Sequence, residues 1–177
     1  MPMSWSPDGK SLVYWLNESG SGRLDEWVIP LSGEKKPVPV LKSPALEVNA
    51  QISPDGKWIA YSSNETANTF QIYVQPFPDG PGKWQVSMDG GYYPRWRRDG
   101  KELYFLTASG GNNAVTGNAA GAGNVMAVEI RVAGSSIQAV FHMCFSRPDS
   151  STTVMWLRDC RRFHTTPMPF PPTGNAS

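Results

Sequence analysis

The chain has 177 residues and a net charge of +1 at neutral pH, with 40% hydrophobic and 18% charged residues. This length is enough for one sizeable core, and the composition is typical of a globular domain. A net charge near zero excludes the long-range field that attracts nucleic acid or anionic membranes, and no apolar run is long enough to span a bilayer. We therefore expect no nucleic-acid partner and no membrane insertion.

A short turn sequence, Asp-Gly-Lys, recurs at Asp8–Lys10, Asp55–Lys57 and Asp99–Lys101, with spacings of 47 (55 − 8) and 44 (99 − 55) residues. Each copy stands between two apolar segments and predicts a hairpin. In this turn the aspartate accepts a hydrogen bond from the backbone two residues on, and the glycine takes a positive φ. A degenerate fourth copy at 156–165 has Cys160 in place of glycine, so we expect a distorted turn there.

Two more strand candidates follow each hairpin. The third strands are Glu26–Leu31, Phe70–Gln75 and Asn124–Ile130, and the fourth are Lys36–Leu41, Gly82–Ser87 and Ile137–Phe145. Aromatic and β-branched residues between Gly and Pro favour strands, and four strands per repeat of roughly 40–50 residues are typical of a β-propeller blade. The predicted fold is all-β: a partial β-propeller of about three four-stranded antiparallel blades, with a degenerate fourth.

Alignment on the turns predicts one propeller region, 1–166, followed by a Pro-rich tail. The predicted blades are 4–51, 52–95, 96–155 and a partial 156–166, and the tail is 167–177. Three blades and a fraction do not close a ring, and open sheet edges invite pairing with other chains. We therefore expect either a fragment of a larger propeller protein or a ring that self-association completes.

Catalytic signals are weak. The nucleophile sequence GxSxG is absent, and a Ser–His–Asp arrangement would need His142 or His164, the only two histidines, as its base. An esterase-type hydrolase with a serine nucleophile is thus the alternative to a non-catalytic module. Cys144 and Cys160 lack metal-ligand spacing and could form a disulfide in an oxidising compartment. We expect no metal and no cofactor.

Two further stretches have simple structural explanations. The Gly-rich segment 108–124 reads as a flexible insertion between strands rather than a ligand lid. Around Trp96, basic residues alternate with aromatics, a pattern that single-stranded nucleic acid could use. Strand alternation sends Arg95 and Arg97 to the face opposite Trp96, which favours a solvated face with one buried tryptophan.

Propeller topology predicts where a binding face would lie. The loop between the second and third strands lies on the same side as the loop that enters the next blade. That side would carry Glu18–Arg23, Asn64–Asn68, Gly90–Tyr93 and the 108–124 insertion. We expect exposed Tyr92 and Tyr93 to anchor a protein partner, with Asn64 and Glu65 beside them. The alternative is that one tyrosine packs between blades.

The turns in context resemble the TolB-like, or PD40 (WD40-like), β-propeller repeat. The stretch IYVQPFPDGPGKWQVSMDGGYYPRWRRDGKELYFL (72–106) is more closely similar to propellers fused to bacterial serine/threonine protein kinases. Those propellers also share stretches that read here as NVMAVEI (124–130), GSSIQAVFHMCF (134–145) and DCRRFHTTP (159–167). The resemblance implies a sensor or protein-interaction module, usually outside the cytoplasmic membrane, although this sequence starts with no signal peptide. Kinase motifs are absent, so the chain itself is not a kinase.

Overall fold

The computed structural model describes residues 2–17, 24–41, 43–66, 69–88, 90–107, 124–133 and 136–143. Residues 141–143 are described by their backbone alone. They form three four-stranded antiparallel sheets. Sheet 1 contains β1 (Pro2–Trp5), β2 (Ser11–Asn17), β3 (Leu24–Pro30) and β4 (Val38–Leu41). Sheet 2 contains β5 (Glu47–Ile52), β6 (Trp58–Ser63), β7 (Gln71–Pro76) and β8 (Trp84–Gln85). Sheet 3 contains β9 (Tyr92–Trp96), β10 (Glu102–Leu106), β11 (Val125–Ala133) and β12 (Ser136–Met143).

These sheets confirm the predicted all-β class and the three four-stranded units. Each strand pairs with its neighbour in sequence, so every sheet is a simple meander. Within the described ranges there is no helix, and hence none that could cross a membrane. The degenerate fourth unit and the Pro-rich tail lie outside the described residues.

The sheets begin earlier than the blade boundaries that turn alignment predicted. The first strand of sheet 2 starts at Glu47, before the boundary at 51/52, and that of sheet 3 starts at Tyr92, before the boundary at 95/96. The turn marks the end of the first strand and not its start. Dividing the chain near the turn therefore assigned most of each first strand to the preceding blade.

The turns have the predicted geometry. Their glycines have φ values of 69°, 72° and 71° (Gly9, Gly56 and Gly100). The lysine amide donates to the aspartate Oδ1 over 3.0, 3.1 and 3.0 Å (Lys10 to Asp8, Lys57 to Asp55, Lys101 to Asp99). Only glycine enters this left-handed region without steric cost, so the repeat is explained by backbone geometry.

Sheet 2 lies between the other two and buries both faces because its strands are apolar on both sides. Towards sheet 1, its side chains join a cluster of Val13, Val28, Leu41, Ala50, Ile52, Ile59, Tyr61 and Tyr73. Towards sheet 3, they join a cluster of Trp58, Ala60, Ile72, Val74, Trp84, Val86, Leu103, Phe105, Val128, Ile130 and Ile137. These two interfaces form the core of the described residues.

The first strands of the sheets contact one another, β5 with both β1 and β9. Cross-sheet hydrogen bonds hold them in place: the Ile52 amide donates to Ser4 Oγ over 3.0 Å, and the Trp96 amide donates to Gln51 Oε1 over 2.9 Å. Trp96 Nε1 also donates to the Gln51 carbonyl over 3.1 Å. The first strands therefore form the inner edge around which the sheets are arranged.

Candidate interaction site

One end of sheet 2 gathers the segments that precede β5, join β6 to β7, and lead into β9. We call this end the loop side and define it by residues 43–46, 64–66, 69–70 and 90–93. Asn64 Oδ1 accepts a hydrogen bond from the Leu46 amide over 2.9 Å, and the Gly91 amide donates to the Phe70 carbonyl over 2.7 Å. These bonds tie the three segments together, and all four predicted binding residues belong to them.

Asn64 and Glu65 are both engaged in holding the loop side together. Asn64 caps the segment before β5, as described above. The Glu65 carboxylate pairs with Lys83 at 2.5 Å, and the Lys83 ammonium lies 5.3 Å from the centre of the Tyr73 ring. With these partners, Asn64 and Glu65 stabilise the loop that precedes β7.

The prediction that Tyr92 is exposed was wrong. Its side chain is 3% exposed and packs in a small cluster with Val48 and Phe70, whose ring centre lies 5.5 Å away. Leu46 and Tyr93 border this cluster and are partly exposed. Tyr92 therefore packs between sheets 2 and 3, which was the alternative, because the first residue of β9 lies against the loop that precedes β7.

Tyr93 and Asn49 share a strained backbone conformation that the sequence did not reveal. Their φ values are 55° and 61°, and both precede the turn aspartate by six residues (99 − 93 and 55 − 49). At both positions the pairing register of the first strand shifts as in a β-bulge. Asparagine tolerates this conformation, whereas tyrosine adopts it rarely, and such strain is concentrated at functional sites. Tyr93 is thus the residue of the loop side whose backbone conformation most suggests a functional role.

Buried carboxyl groups lie between sheets 1 and 2. Glu26 is fully buried and Glu47 is 3% exposed, and each has one carboxylate oxygen without a hydrogen-bond partner. Burial raises the pKa of Glu26 to about 7, against a weak hydrogen bond of 3.4 Å from the Ala50 amide. Burial likewise raises the pKa of Glu47 to about 7, while hydrogen bonding from Ser43 and the charge of Lys83 lower it. The alternation of apolar and polar residues along a strand does not predict that these two carboxyl groups lie close together, because Glu26 and Glu47 belong to different sheets.

The basic stretch around Trp96 has the arrangement that alternation predicted. Trp96 packs against the cluster between sheets 2 and 3, although it is half-buried rather than fully buried. Arg95 is exposed, and the Arg97 guanidinium pairs with Asp99 at 2.6 Å and with Glu102 at 2.8 Å. These ion pairs occupy the guanidinium of Arg97, one of the basic groups of this stretch.

The candidates for catalysis and metal binding lie largely outside the described residues. His142 is in β12, but its side chain is not described, and His164, Cys144, Cys160 and the 108–123 stretch are outside the described ranges. The esterase alternative therefore stays a prediction. Among the described residues, no group of three or more His, Cys, Asp or Glu side chains is arranged to hold a metal ion.

The three sheets are similar to parts of two solved structures. A protein described as a TolB, from Agrobacterium tumefaciens, matches with a TM-score of 0.59 and 19% identity, over 78% of this chain and 47% of that one. TolB from Acinetobacter baumannii matches with a TM-score of 0.54 and 19% identity, over 80% of this chain and 40% of that one. The fold is part of a TolB-like β-propeller. Each sheet is accordingly one blade.

The chain spans less than half the length of either TolB structure. At this level of identity the likeness shows the fold alone. No protein-family model matches the chain, and no curated protein matches it.

Proposed function

We propose that this chain is a non-catalytic protein-interaction module that binds its partner through the loop side. The strained, partly exposed Tyr93 carries the proposal. Around it, Leu46 adds partly exposed apolar surface, and hydrogen bonds together with the Glu65–Lys83 ion pair keep the loops in one conformation. A rigid aromatic residue on a preorganised surface binds a protein at low entropic cost.

The TolB-like fold supports this function, because blade loops of propellers are free to vary while the sheets supply rigidity. By resemblance of the 72–106 stretch, we further propose that the chain corresponds to the propeller region of a larger bacterial protein with a kinase domain. The same resemblance supports a location outside the cytoplasmic membrane for such a protein. Sequencing of the flanking coding region tests the kinase link: an upstream HRD and DFG motif pair in the same reading frame is the expected result.

A selection with a displayed random-peptide library tests the loop side. Peptides that bind the wild-type chain are measured by fluorescence anisotropy against Tyr93→Ser and Glu65→Gln variants, with Arg131→Gln on sheet 3 as the control. We expect at least tenfold weaker binding for Tyr93→Ser and no change for Arg131→Gln. Failure to select any peptide, or equal affinity for all variants, would refute the proposed binding surface.

A further inference from the structure

The interface between sheets 1 and 2 contains two buried carboxyl groups, Glu26 of β3 and Glu47 of β5, which we call the carboxyl pair. Glu26 is fully buried and Glu47 is 3% exposed. One carboxylate oxygen of each has no hydrogen-bond partner among the described residues. Burial of an ionised group without such partners is unfavourable, so the carboxyl pair needs an explanation beyond packing.

A bulge in β5 brings the backbone of sheet 2 to Glu26. The register of β5 against β6 shifts between Val48 and Gln51, and Asn49 within this bulge has a φ of 61°. The bulge releases the Ala50 amide from the ladder, and this amide donates to Glu26 Oε1 over 3.4 Å. Hydrogen bonds to ionised carboxylates are normally about 2.7–2.9 Å long, so this contact compensates little for the burial of a charge.

The equivalent place in the interface between sheets 2 and 3 is apolar. Ile72 corresponds to Glu26, because each pairs with the residue that follows the turn aspartate by seven positions, Ser62 and Trp15 (62 − 55 and 15 − 8). Ile72 is fully buried and belongs to the cluster that fills this second interface. An apolar side chain therefore packs well at this position of a blade.

Gly91 corresponds to Glu47, because both precede the turn aspartate by eight residues (99 − 91 and 55 − 47). A Cβ atom at Gly91 would overlap Ile72 Cγ1, so these two positions are in direct contact across the second interface. By this correspondence Glu26 and Glu47 face each other, and the charge of Glu47 acts on Glu26. Apolar residues often replace buried charges without loss of stability, so packing alone does not account for the carboxyl pair.

Charged neighbours do not neutralise the carboxyl pair. The charges of Glu65 and Asp25 oppose ionisation of Glu47, whereas Lys83 favours it but is already paired with Glu65. Burial is the largest effect on both members of the carboxyl pair and raises the pKa of each to about 7. Two tyrosines of the same interface stay neutral because burial raises their pKa: Tyr61 and Tyr73.

We propose that the carboxyl pair is a pH-sensitive contact, which holds the start of β5 against sheet 1 while it is protonated and releases it when it ionises. Glu47 begins β5 directly after segment 43–46 of the loop side, and Ser43 of that segment donates a hydrogen bond to it. Movement of Glu47 into water therefore displaces part of the loop side. For its effect on a partner, this inference rests on the proposed function of that surface.

The direction of the response follows from the protons that each state holds. In the closed contact the two groups keep their protons up to about pH 7, whereas in water they lose them near pH 4.5. The contact is therefore fully stable below pH 4.5 and loses stability as the pH rises through about 7. A shift of this size weakens the contact by about 100-fold or more in total.

Hydrogen exchange of the full chain, read by mass spectrometry from pH 5 to pH 8, tests the proposal. The double variant Glu26→Gln, Glu47→Gln cannot ionise at these positions, so its exchange at each pH corrects for the intrinsic pH dependence of amides. We expect wild-type exchange in residues 43–52 to rise at least tenfold relative to this variant. Low concentrations of urea should leave the increase unchanged, because a local opening exposes little surface.

The exposed Glu34→Gln variant is the matched control and should exchange as the wild-type chain does. Circular dichroism shows whether each variant is folded. Should the double variant not fold, Glu26→Ile, which copies the second interface, takes its place and should reduce the pH response. An exchange ratio that stays constant with pH would overturn the proposal. So would an increase that depends on urea as steeply as global unfolding does.

Peptide binding at the loop side is measured by fluorescence anisotropy at the same pH values. Wild-type affinity should fall at least tenfold from pH 5 to pH 8 relative to that of the double variant. Absence of any binding peptide together with pH-dependent local exchange refutes only the proposed function of the loop side. Peptide binding together with a constant exchange ratio refutes only the pH-sensitive contact.

Discussion

At each turn, the aspartate acts together with the residue two positions before it. In sheet 2, Ser53 Oγ donates to Asp55 Oδ1 over 2.5 Å and accepts a hydrogen bond from the Trp58 amide over 3.0 Å. In sheet 3, Arg97 takes the place of the serine, and its hydrogen bond to Asp99 lowers the pKa of that carboxyl to about 2. The same backbone turn is thus stabilised by a hydroxyl in one blade and by an ion pair in another.

Replacement of Ser53 by alanine should destabilise the chain by about 1–3 kcal/mol, because the buried Trp58 amide loses its partner. Ser53 is 2% exposed, so water cannot easily replace the hydroxyl. Urea unfolding measures the loss, and Ser32→Ala at an exposed position is the matched control. Equal stability of the two variants would show that the hydroxyl contributes nothing.

Glu26 should make stability depend on pH. Its pKa rises from 4.5 to about 7 on folding, so the folded chain holds more protons than the unfolded chain between these values. Stability therefore falls as pH rises through this window, by about 3 kcal/mol in total for a shift of this size. The nearby charge of Glu47 opposes ionisation further.

The variant Glu26→Gln should be more stable than the wild-type chain at pH 8 and nearly equal to it at pH 4.5. Urea unfolding from pH 4.5 to 8 measures the difference, with Glu34→Gln, at an exposed position, as the control. A wild-type stability that rises with pH relative to Glu26→Gln would contradict the burial of this carboxyl.

The sheets are joined by few polar contacts placed at equivalent points. Ser4 bonds the Ile52 amide across the first interface, and Gln51 bonds the Trp96 amide across the second. Both acceptors belong to the inner strand of one sheet and both donors to the inner strand of the next. These bonds fix how far one blade is shifted along its neighbour, because apolar packing alone has no direction.

Ser4→Ala should therefore loosen sheet 1 from sheet 2 at a cost of about 1–3 kcal/mol. The Ile52 amide is left without its partner in a buried position. Hydrogen exchange read by mass spectrometry should show faster exchange in β1 and β5 and little change in β10 and β11. Uniform acceleration across all three sheets would mean that the bond does not act at this one interface.

As a whole, the described molecule consists of three blades, of which the first exposes the apolar side chains of Trp5 and Leu16 and the third carries the Arg97–Glu102 and Arg131–Glu129 ion pairs. Its interior is filled by two inter-sheet clusters. The loop side is the surface that we propose for a protein partner.

We expect the chain to hydrolyse a p-nitrophenyl ester no faster than buffer alone. Because His142 and His164 are the only histidines, an esterase of the predicted type must lose activity in His142→Ala or His164→Ala. Turnover that co-elutes with the chain and disappears in one of these variants would establish the hydrolase alternative. Steady-state rates across the size-exclusion peak measure it.

The sequence by itself determined the blades, because the geometry of a turn such as Asp55-Gly56 depends only on local φ preferences and on one hydrogen bond to the aspartate. Strand positions followed from alternation for the same reason. Only the tertiary structure decided that Tyr92 is buried, that Tyr93 is strained, and that Glu26 meets the charge of Glu47. These features depend on which sheet lies against which, and residues far apart in sequence have no local pattern that records their contact.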